Sequence, residues 1–319
     1  MARVVKATAF GGPEVLAVVD EPVPAPGPGE VTIRVEAAAV NPIDYKIYSG
    51  LLGRDPDTLP QRVGMELAGV VTAAGPGAHG PAGPLAVGDE VIAYRRDRPG
   101  AYATEVTWEA EFVVPKPARL SFAEASGLLL TGSTAVHALT ATGVRAGDTL
   151  LLHGAAGSVG RHVAQLARDA GAEVIGTASP RRHDELSALG VRPVAYGPGL
   201  ADRVRALAPA GVDAAIDAVG TDEAVDVSLE LVADRERIAT LAAFARGAEA
   251  GIQMLGTAPG ATDRGDRVRR QAWPRLLELA TAGRLRTAVT RTFPLAEAAR
   301  AHAFVAEGHA GGKVVLLGG

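Results

Sequence analysis

Cysteine is absent from all 319 residues, which excludes disulfides, thiol nucleophiles, iron–sulfur clusters and thiolate-bound zinc. The seven histidines are scattered, with no His-Glu-x-x-His arrangement, so no metal is expected. Neither sign of charge prevails: 32 Lys and Arg against 36 Asp and Glu leave −4, too little positive field for a nucleic-acid binder. Long apolar runs are missing too, since none approaches the roughly 20 residues that span a bilayer. The start, Met1-Ala-Arg-Val-Val-Lys6, has no apolar signal core, so no membrane association and a cytoplasmic location are expected. What is present, 47% apolar and 21% charged residues, is ordinary for a folded chain with room for two domains.

The most informative segment is Gly147-Asp-Thr-Leu-Leu-Leu-His-Gly-Ala-Ala-Gly-Ser-Val-Gly160. Thr149 to His153 is continuously apolar at strand length, as suits a parallel strand buried on both faces. Gly154 and Gly157 then permit a tight turn and close approach of a phosphate, and Gly160 permits close helix packing. A helix starting near Ser158 places Val159, Val163, Leu166 and Ala170 at helical spacing and points its first N–H groups at the turn. Gly171 ends it, and Glu173 to Thr177 reads as the next strand of a βαβ unit. Ala155 stands where the G-x-G-x-x-G fingerprint has its first glycine, so the surrounding pattern carries the reading of a dinucleotide site.

Which dinucleotide binds is read at the end of that second strand. An acid there would hold a ribose 2′-hydroxyl, whereas the chain runs Ala178-Ser179-Pro180-Arg181-Arg182-His183 with no acid before Asp184. Ser179 offers a hydroxyl, and Arg181 or Arg182 a forked pair for phosphate oxygens, which favours NADPH; a solvated helix start is the plainer reading of the arginines.

Up to about residue 120, strand-like stretches at 3–40, Gly69 to Thr72, Glu90 to Ala93 and Phe112 to Val114 alternate with glycine and proline clusters, as in an all-β body. From Ser121 helical segments alternate with short apolar strands, including Asp213 to Gly220, Arg237 to Ala243 and Gly251 to Gly256, the rhythm of a doubly wound sheet. Strand character returns at Lys313 to Leu317.

With the glycine turn, Val40-Asn-Pro-Ile-Asp-Tyr-Lys46, Gly64-Met-Glu-Leu-Ala-Gly-Val-Val71, Val87-Gly-Asp-Glu-Val91, Gly100-Ala-Tyr-Ala103, Thr131-Gly-Ser-Thr-Ala135, Asp217-Ala-Val-Gly220, Arg291-Thr-Phe-Pro-Leu-Ala-Glu-Ala298 and Gly308-His-Ala-Gly-Gly-Lys-Val-Val-Leu316 stand in one order along the chain. In these motifs the sequence resembles the zinc-independent quinone oxidoreductases, the zeta-crystallin-like branch of the medium-chain dehydrogenase/reductase superfamily. The resemblance implies an α/β architecture: a GroES-like β-barrel catalytic domain from residues 1–120 and 259–319, and a Rossmann doubly wound parallel-sheet cofactor domain from 121–258, with the active site in an interdomain cleft. It also implies Asn41 in place of the first zinc-binding cysteine of zinc-dependent relatives and Met65 in place of their histidine, hence hydride delivery from NADPH to a quinone or activated C=C without a metal.

By the same resemblance Asn41 lies beside the nicotinamide, and Tyr45, Lys46 and Tyr48 line the acceptor site. Lys46 would stabilise a developing oxyanion and Tyr48 would donate a proton, with solvent protonation equally open. On the residues alone, Asn41-Pro42 also fits a simple turn, and Tyr45 and Tyr48 also fit packing on one helical face. Thr131 and Thr134 are implied at the nicotinamide end, Ala156, Gly157, Ser158 and Val159 at the pyrophosphate, Ser179, Arg181, Arg182 and Tyr196 at the 2′-phosphate, and Val219, Phe244 and Lys313 around the cofactor. Phe244 fits a core position as well, and Tyr196 a solvent-facing one. Gly190-Val-Arg-Pro-Val-Ala-Tyr196 departs from the family's usual Gly-Ala-Asp, and Gly311-Gly312 stands where an arginine often precedes the glycine. A homodimer paired through the edge strand 251–256 is the expected assembly. Two alternatives remain: a trans-acting enoyl-thioester reductase with Arg264, Arg267, Arg269 and Arg270 facing a carrier, and a non-enzymatic NADPH-binding, crystallin-like protein.

Overall fold

A computed structural model describes residues 1–256, 261, 264–308 and 310–318. The chain divides into two compact units, Met1–Leu130 with Arg286–Gly319, and Thr131–Leu285.

The first unit is a β body. Its main sheet runs Val113–Pro115, Glu90–Tyr94, Glu66–Ala74, Glu30–Val40, Lys313–Leu317, Val289–Pro294, with Glu105–Glu109 also paired to Glu30–Val40. Glu30–Val40 is the spine, and two irregularities in its pairing with Glu66–Ala74 let the sheet bend around the core. Gly69 marks the closest approach: a Cβ there would stand 2.1 Å from the Arg34 carbonyl oxygen. Val31, Ile33 and Val35 alternate inward along the spine and meet Leu67, Val91, Val106 and Trp108, as period-two patterning requires. A smaller sheet, Leu16–Glu21, Ala2–Ala7 and Gln61–Arg62, joins the same core. The expected GroES-like body is there, closed by the returning strand Lys313–Leu317, which pairs antiparallel with Glu30–Val40.

The second unit is the expected Rossmann sheet. Numbered along the chain, its strands Thr149–His153, Glu173–Thr177, Arg192–Val194, Ala214–Asp217, Ile238–Thr240 and Gln253–Met254 lie in the order 3-2-1-4-5-6, all parallel. Reversal of strand order between the first and fourth strands creates the crevice where such sheets bind nucleotides.

Three expectations change. The units divide after Leu130 and after Leu285, not after residues 120 and 258; position 258 itself lies outside the described residues. Packing explains both shifts: the helix Phe122–Ser126 follows its capping box onto the Glu30–Val40 strand, and the helix Trp273–Thr281 sets Leu276 against Gly132, where a Cβ would come within 2.9 Å of it. The strand expected over 251–256 is Gln253–Met254, because the helix Phe244–Ala250 ends in the left-handed turn of Gly251. The helix Ser158–Asp169 buries Gly160, Val163, Ala164, Leu166 and Ala167, and leaves Ala170 exposed beyond its end.

Candidate functional site

The phosphate turn is built by three constraints. Gly154 takes φ +74°, which a side chain would disfavour. Its N–H donates to Thr177 Oγ1 at 3.1 Å and the Ala155 N–H to the Thr177 carbonyl at 3.1 Å, stapling the turn to the next strand. A Cβ on Gly160 would stand 2.2 Å from the Gly154 oxygen and 2.8 Å from Ala155 Cα, so the helix can seat this close only without one. Ala155, in place of the usual glycine, is matched by Gly176 opposite, where an added Cβ would fall 2.6 Å from the Ala155 methyl. Gly157 precedes the helix in extended conformation without a capping side chain, so the first-turn N–H groups suit a phosphate.

Around this turn, buried Asp217 holds the end of the fourth strand. Its Oδ1 accepts the N–H groups of Val219 at 2.9 Å and Gly220 at 2.8 Å, while Oδ2 accepts the Thr240 hydroxyl at 2.7 Å. Val219 is thereby fixed and 51% exposed. His153 is buried against Ser228 Oγ at 3.2 Å, and burial holds it down to about 4, so it stays neutral near pH 7. Ala156, Gly157, Ser158 and Val159 are half-buried in the turn. Thr131 and Thr134 are buried in the helix Leu129–Ala141, with Thr134 Oγ1 accepting from Arg269 Nη1 at 2.6 Å. Phe244 is half-buried at the start of its helix.

Beyond the second strand the arginines differ. Ser179 is half-buried, Arg181 is exposed without an ion-pair partner among the described residues, and Arg182 Nη1 is 2.8 Å from Glu185 Oε1. Tyr196 follows the third strand and is 56% exposed.

In the first unit a buried polar cluster surrounds Asn41. Lys313 Nζ lies 2.8 Å from Glu66 Oε1 and also donates to Asn41 Oδ1; the Asn41 amide donates to Glu66 Oε1 at 3.1 Å and to the Ala39 carbonyl at 3.2 Å. Glu66 Oε2 accepts the Leu130 N–H at 2.9 Å. The Asn41 side chain is thus engaged within the fold, and Lys313, expected at the cofactor, is buried beside it. The Asn41 N–H donates to Asp44 Oδ2 at 2.9 Å, which also accepts the Tyr102 hydroxyl at 2.7 Å; burial pushes Asp44 up to about 7 against these lowering bonds.

On the helix Pro42–Tyr48 the three acceptor candidates separate. Tyr48 is buried in the core with its hydroxyl 2.9 Å from His302 Nδ1, and burial raises its pKa, surroundings that favour packing over the proton donation expected of it. Tyr45 is half-buried against the core. Lys46 is half-buried without an ion-pair partner among the described residues, and desolvation lowers its pKa.

Glu66, Asp44, His302, Glu185 and Asp217 were not expected from sequence. Asp44 carried a local signal, the N-cap-to-N3 spacing from Asn41, and Glu185 another, the i,i+3 spacing from Arg182. The possible carrier patch also shrinks: Arg269 is buried against Thr134, Arg264 pairs with Asp266 at 3.3 Å, and Arg270 lies over the Trp273 ring.

Comparison with known proteins places this geometry. The family described as "Alcohol dehydrogenase GroES-like domain" matches residues 27–118, and that described as "Zinc-binding dehydrogenase" matches 189–316. A quinone oxidoreductase of Pseudomonas aeruginosa is 32% identical over 99% of this chain and 100% of its own length. The chain belongs to the quinone oxidoreductase branch of the medium-chain dehydrogenase/reductase superfamily. Two other relatives are longer. The mouse "Synaptic vesicle membrane protein VAT-1 homolog" is 37% identical over 67% of this chain, which spans about half of it (52%). The "Spectinabilin polyketide synthase system protein NorB" of Streptomyces orinoci is 33% identical over 91% of this chain and 13% of its own length. Among solved structures, an NAD-dependent alcohol dehydrogenase superposes with TM-score 0.86 at 32% identity over 99% of this chain and 100% of that one. A mycobacterial protein complexed with NADPH does so with TM-score 0.83 at 32% identity, again over 99% and 100%.

The zinc named in one family description does not fit this cluster. An amide and a carboxylate already paired with an ammonium offer neither thiolate nor imidazole, and position 65 carries a methionine. Among the described residues no group of three His, Cys, Asp or Glu could hold a metal, and no helix is long and apolar enough to cross a membrane.

Proposed function

We propose that this protein is an NADPH-dependent reductase of a small quinone or an α,β-unsaturated carbonyl compound, working without zinc. The observation that carries the reading is the uncapped helix behind the Gly154–Gly160 turn, a phosphate seat at the switch point of the parallel sheet. When bound, the nicotinamide supplies the hydride. The protein's part is to hold and polarise: Ala156 to Val159 take the pyrophosphate, Ser179 and Arg181 the 2′-phosphate, and Asp217 holds Val219 at the strand end. The mycobacterial neighbour's NADPH and the absence of an acid between Thr177 and Asp184 support this cofactor.

On the acceptor side Lys46 is the group suited to meet a developing oxyanion. Its ammonium is desolvated and unpaired among the described residues, so an anion gains more there than in water. Asn41 and Lys313 act through the buried cluster that fixes the loop, with Tyr45 lending apolar surface. The Gln253–Met254 strand, at the sheet's edge, is the proposed seat of a homodimer.

The test is NADPH consumption at 340 nm against quinones, enals, enones and an enoyl thioester, free and carrier-bound. Wild type should turn over at least one free acceptor, and Lys46→Met should lower kcat/KM about 100-fold, the ordinary worth of such assistance. Tight NADPH binding with no turnover across the panel would leave the crystallin-like reading. The similarity to NorB favours one second reading, reduction of an enoyl thioester, which exclusive turnover of the carrier-bound substrate would establish.

A further inference from the structure

Arg182 is not the only cation that Glu185 holds. Its second oxygen, Oε2, is in contact with Arg161 Nη2, while Arg182 Nη1 occupies Oε1 at 2.8 Å. Arg161 is only 7% exposed, and its Nε donates at 3.0 Å to the carbonyl of Ala156, inside the phosphate turn. One carboxylate on the helix His183–Ala188 therefore bridges two guanidiniums, one bracing the phosphate turn and one ending the short turn Pro180–Arg182 beyond the second strand. Two adjacent guanidiniums keep such a carboxylate ionised, and the Glu185 pKa is indeed lowered, first by Arg182 and then by Arg161.

An adenosine 2′-phosphate carries about −1.5 to −2 near neutral pH and seeks the same guanidinium forks that a carboxylate takes. Glu185 occupies one N–H of each guanidinium and orients both before any ligand arrives, while Arg181 is the arginine of this segment without an ion-pair partner among the described residues. Resting on the NADPH reading above, we propose that Glu185 sets the degree of preference for NADPH over NADH by sequestering Arg182 from the 2′-phosphate, so that Arg181 alone discriminates in the wild-type protein. NADH has no 2′-phosphate, so a released Arg182 has nothing on it to pair with.

The experiment measures Kd for NADPH and NADH, by quenching or nicotinamide fluorescence at low salt, for wild type, Glu185→Gln, Arg181→Ala, Arg182→Ala and the double variant Glu185→Gln/Arg182→Ala. Glutamine keeps the shape and removes the charge. Glu185→Gln should tighten NADPH about tenfold, the effect of one charge near a half-exposed anion, with NADH changing less than about twofold. Arg182→Ala should alter the NADPH preference less than about twofold in wild type, yet cancel the tenfold gain in the Glu185→Gln background. That dependence of one substitution on the other is something a merely structural bridge would not produce.

If Glu185→Gln shifts both nucleotides equally, the carboxylate only braces Arg161 and the turn, and the proposal fails while the cofactor reading stands. An unchanged NADPH to NADH ratio in Glu185→Gln, with Arg181→Ala still lowering it, fails in the same way. If Arg181→Ala leaves that ratio untouched, the 2′-phosphate reading falls and this proposal with it. Circular dichroism and urea midpoints confirm that each variant is folded when its Kd is read.

Discussion

Replacing Lys313 by methionine tests the buried cluster most directly. The lysine is 1% exposed, its Nζ lies 2.8 Å from a carboxylate oxygen of Glu66, which is 0% exposed, and it also donates to Asn41. Methionine matches the stem but strands the Glu66 carboxylate without its cation, a loss of about 3–5 kcal/mol when a buried pair is broken from one side. At about 2–4 °C per kcal/mol for a unit of this size, the first unit should melt roughly 6–20 °C lower. Adding Glu66→Gln should restore at least half of the loss, because a neutral side chain can still accept the Leu130 N–H without an unpaired charge. The assay is urea unfolding followed by Trp108, buried in the first unit, in a Trp273→Phe background that removes the tryptophan of the second. A single-variant cost below about 1 kcal/mol, or costs that simply add, would refute the claim that this pair is a coupled buried ion pair.

Three other substitutions bear on separate parts of the molecule. Gly160→Ala puts a methyl 2.2 Å from the Gly154 oxygen and should weaken NADPH binding about 100-fold or more by fluorescence titration, the turn being forced off the helix. Tyr48→Phe leaves His302 Nδ1 without its partner and should cost about 1–3 kcal/mol in urea while kcat stays within about twofold; a large loss of turnover would return Tyr48 to the acceptor site. Asp44 titrates near 7 when folded against an ordinary 3.8, so the stability it lends is full below about pH 4 and is lost as pH rises through 7. Asp44→Asn should remove that loss, on the order of a few kcal/mol, and urea midpoints that run parallel from pH 4.5 to 7.5 in variant and wild type would contradict it.

The nucleotide unit was legible because its signals are local. The strands Thr149–His153 and Glu173–Thr177 are apolar runs ended by turn residues, and the structure gives them those bounds. The strand Lys313–Leu317 was visible for the same reason. What stayed hidden depends on distant partners. Helical spacing puts Tyr45 and Tyr48 on neighbouring positions, but only His302, 254 residues away, decides that Tyr48 turns inward. Likewise nothing near Arg182 in sequence announces that Glu185 will share its carboxylate with Arg161 as well. The division after Leu285 depends on Leu276 meeting Gly132, a contact with no periodic signature. Ala155 looked like a defect in the fingerprint until Gly176 proved to stand opposite its methyl.

The pairing of Lys313–Leu317 with Glu30–Val40 sets a timetable for synthesis. The second unit is one continuous stretch of chain and can fold as it leaves the ribosome, whereas the sheet of the first waits for a strand made after the second is complete. Glu66 and its ammonium partner are 247 residues apart, so at about 5–20 residues per second the carboxylate emerges roughly 10–50 s before Lys313. During that interval the nascent β segments carry an unfilled strand position, and a chaperone that shields an open sheet edge would have its natural client there.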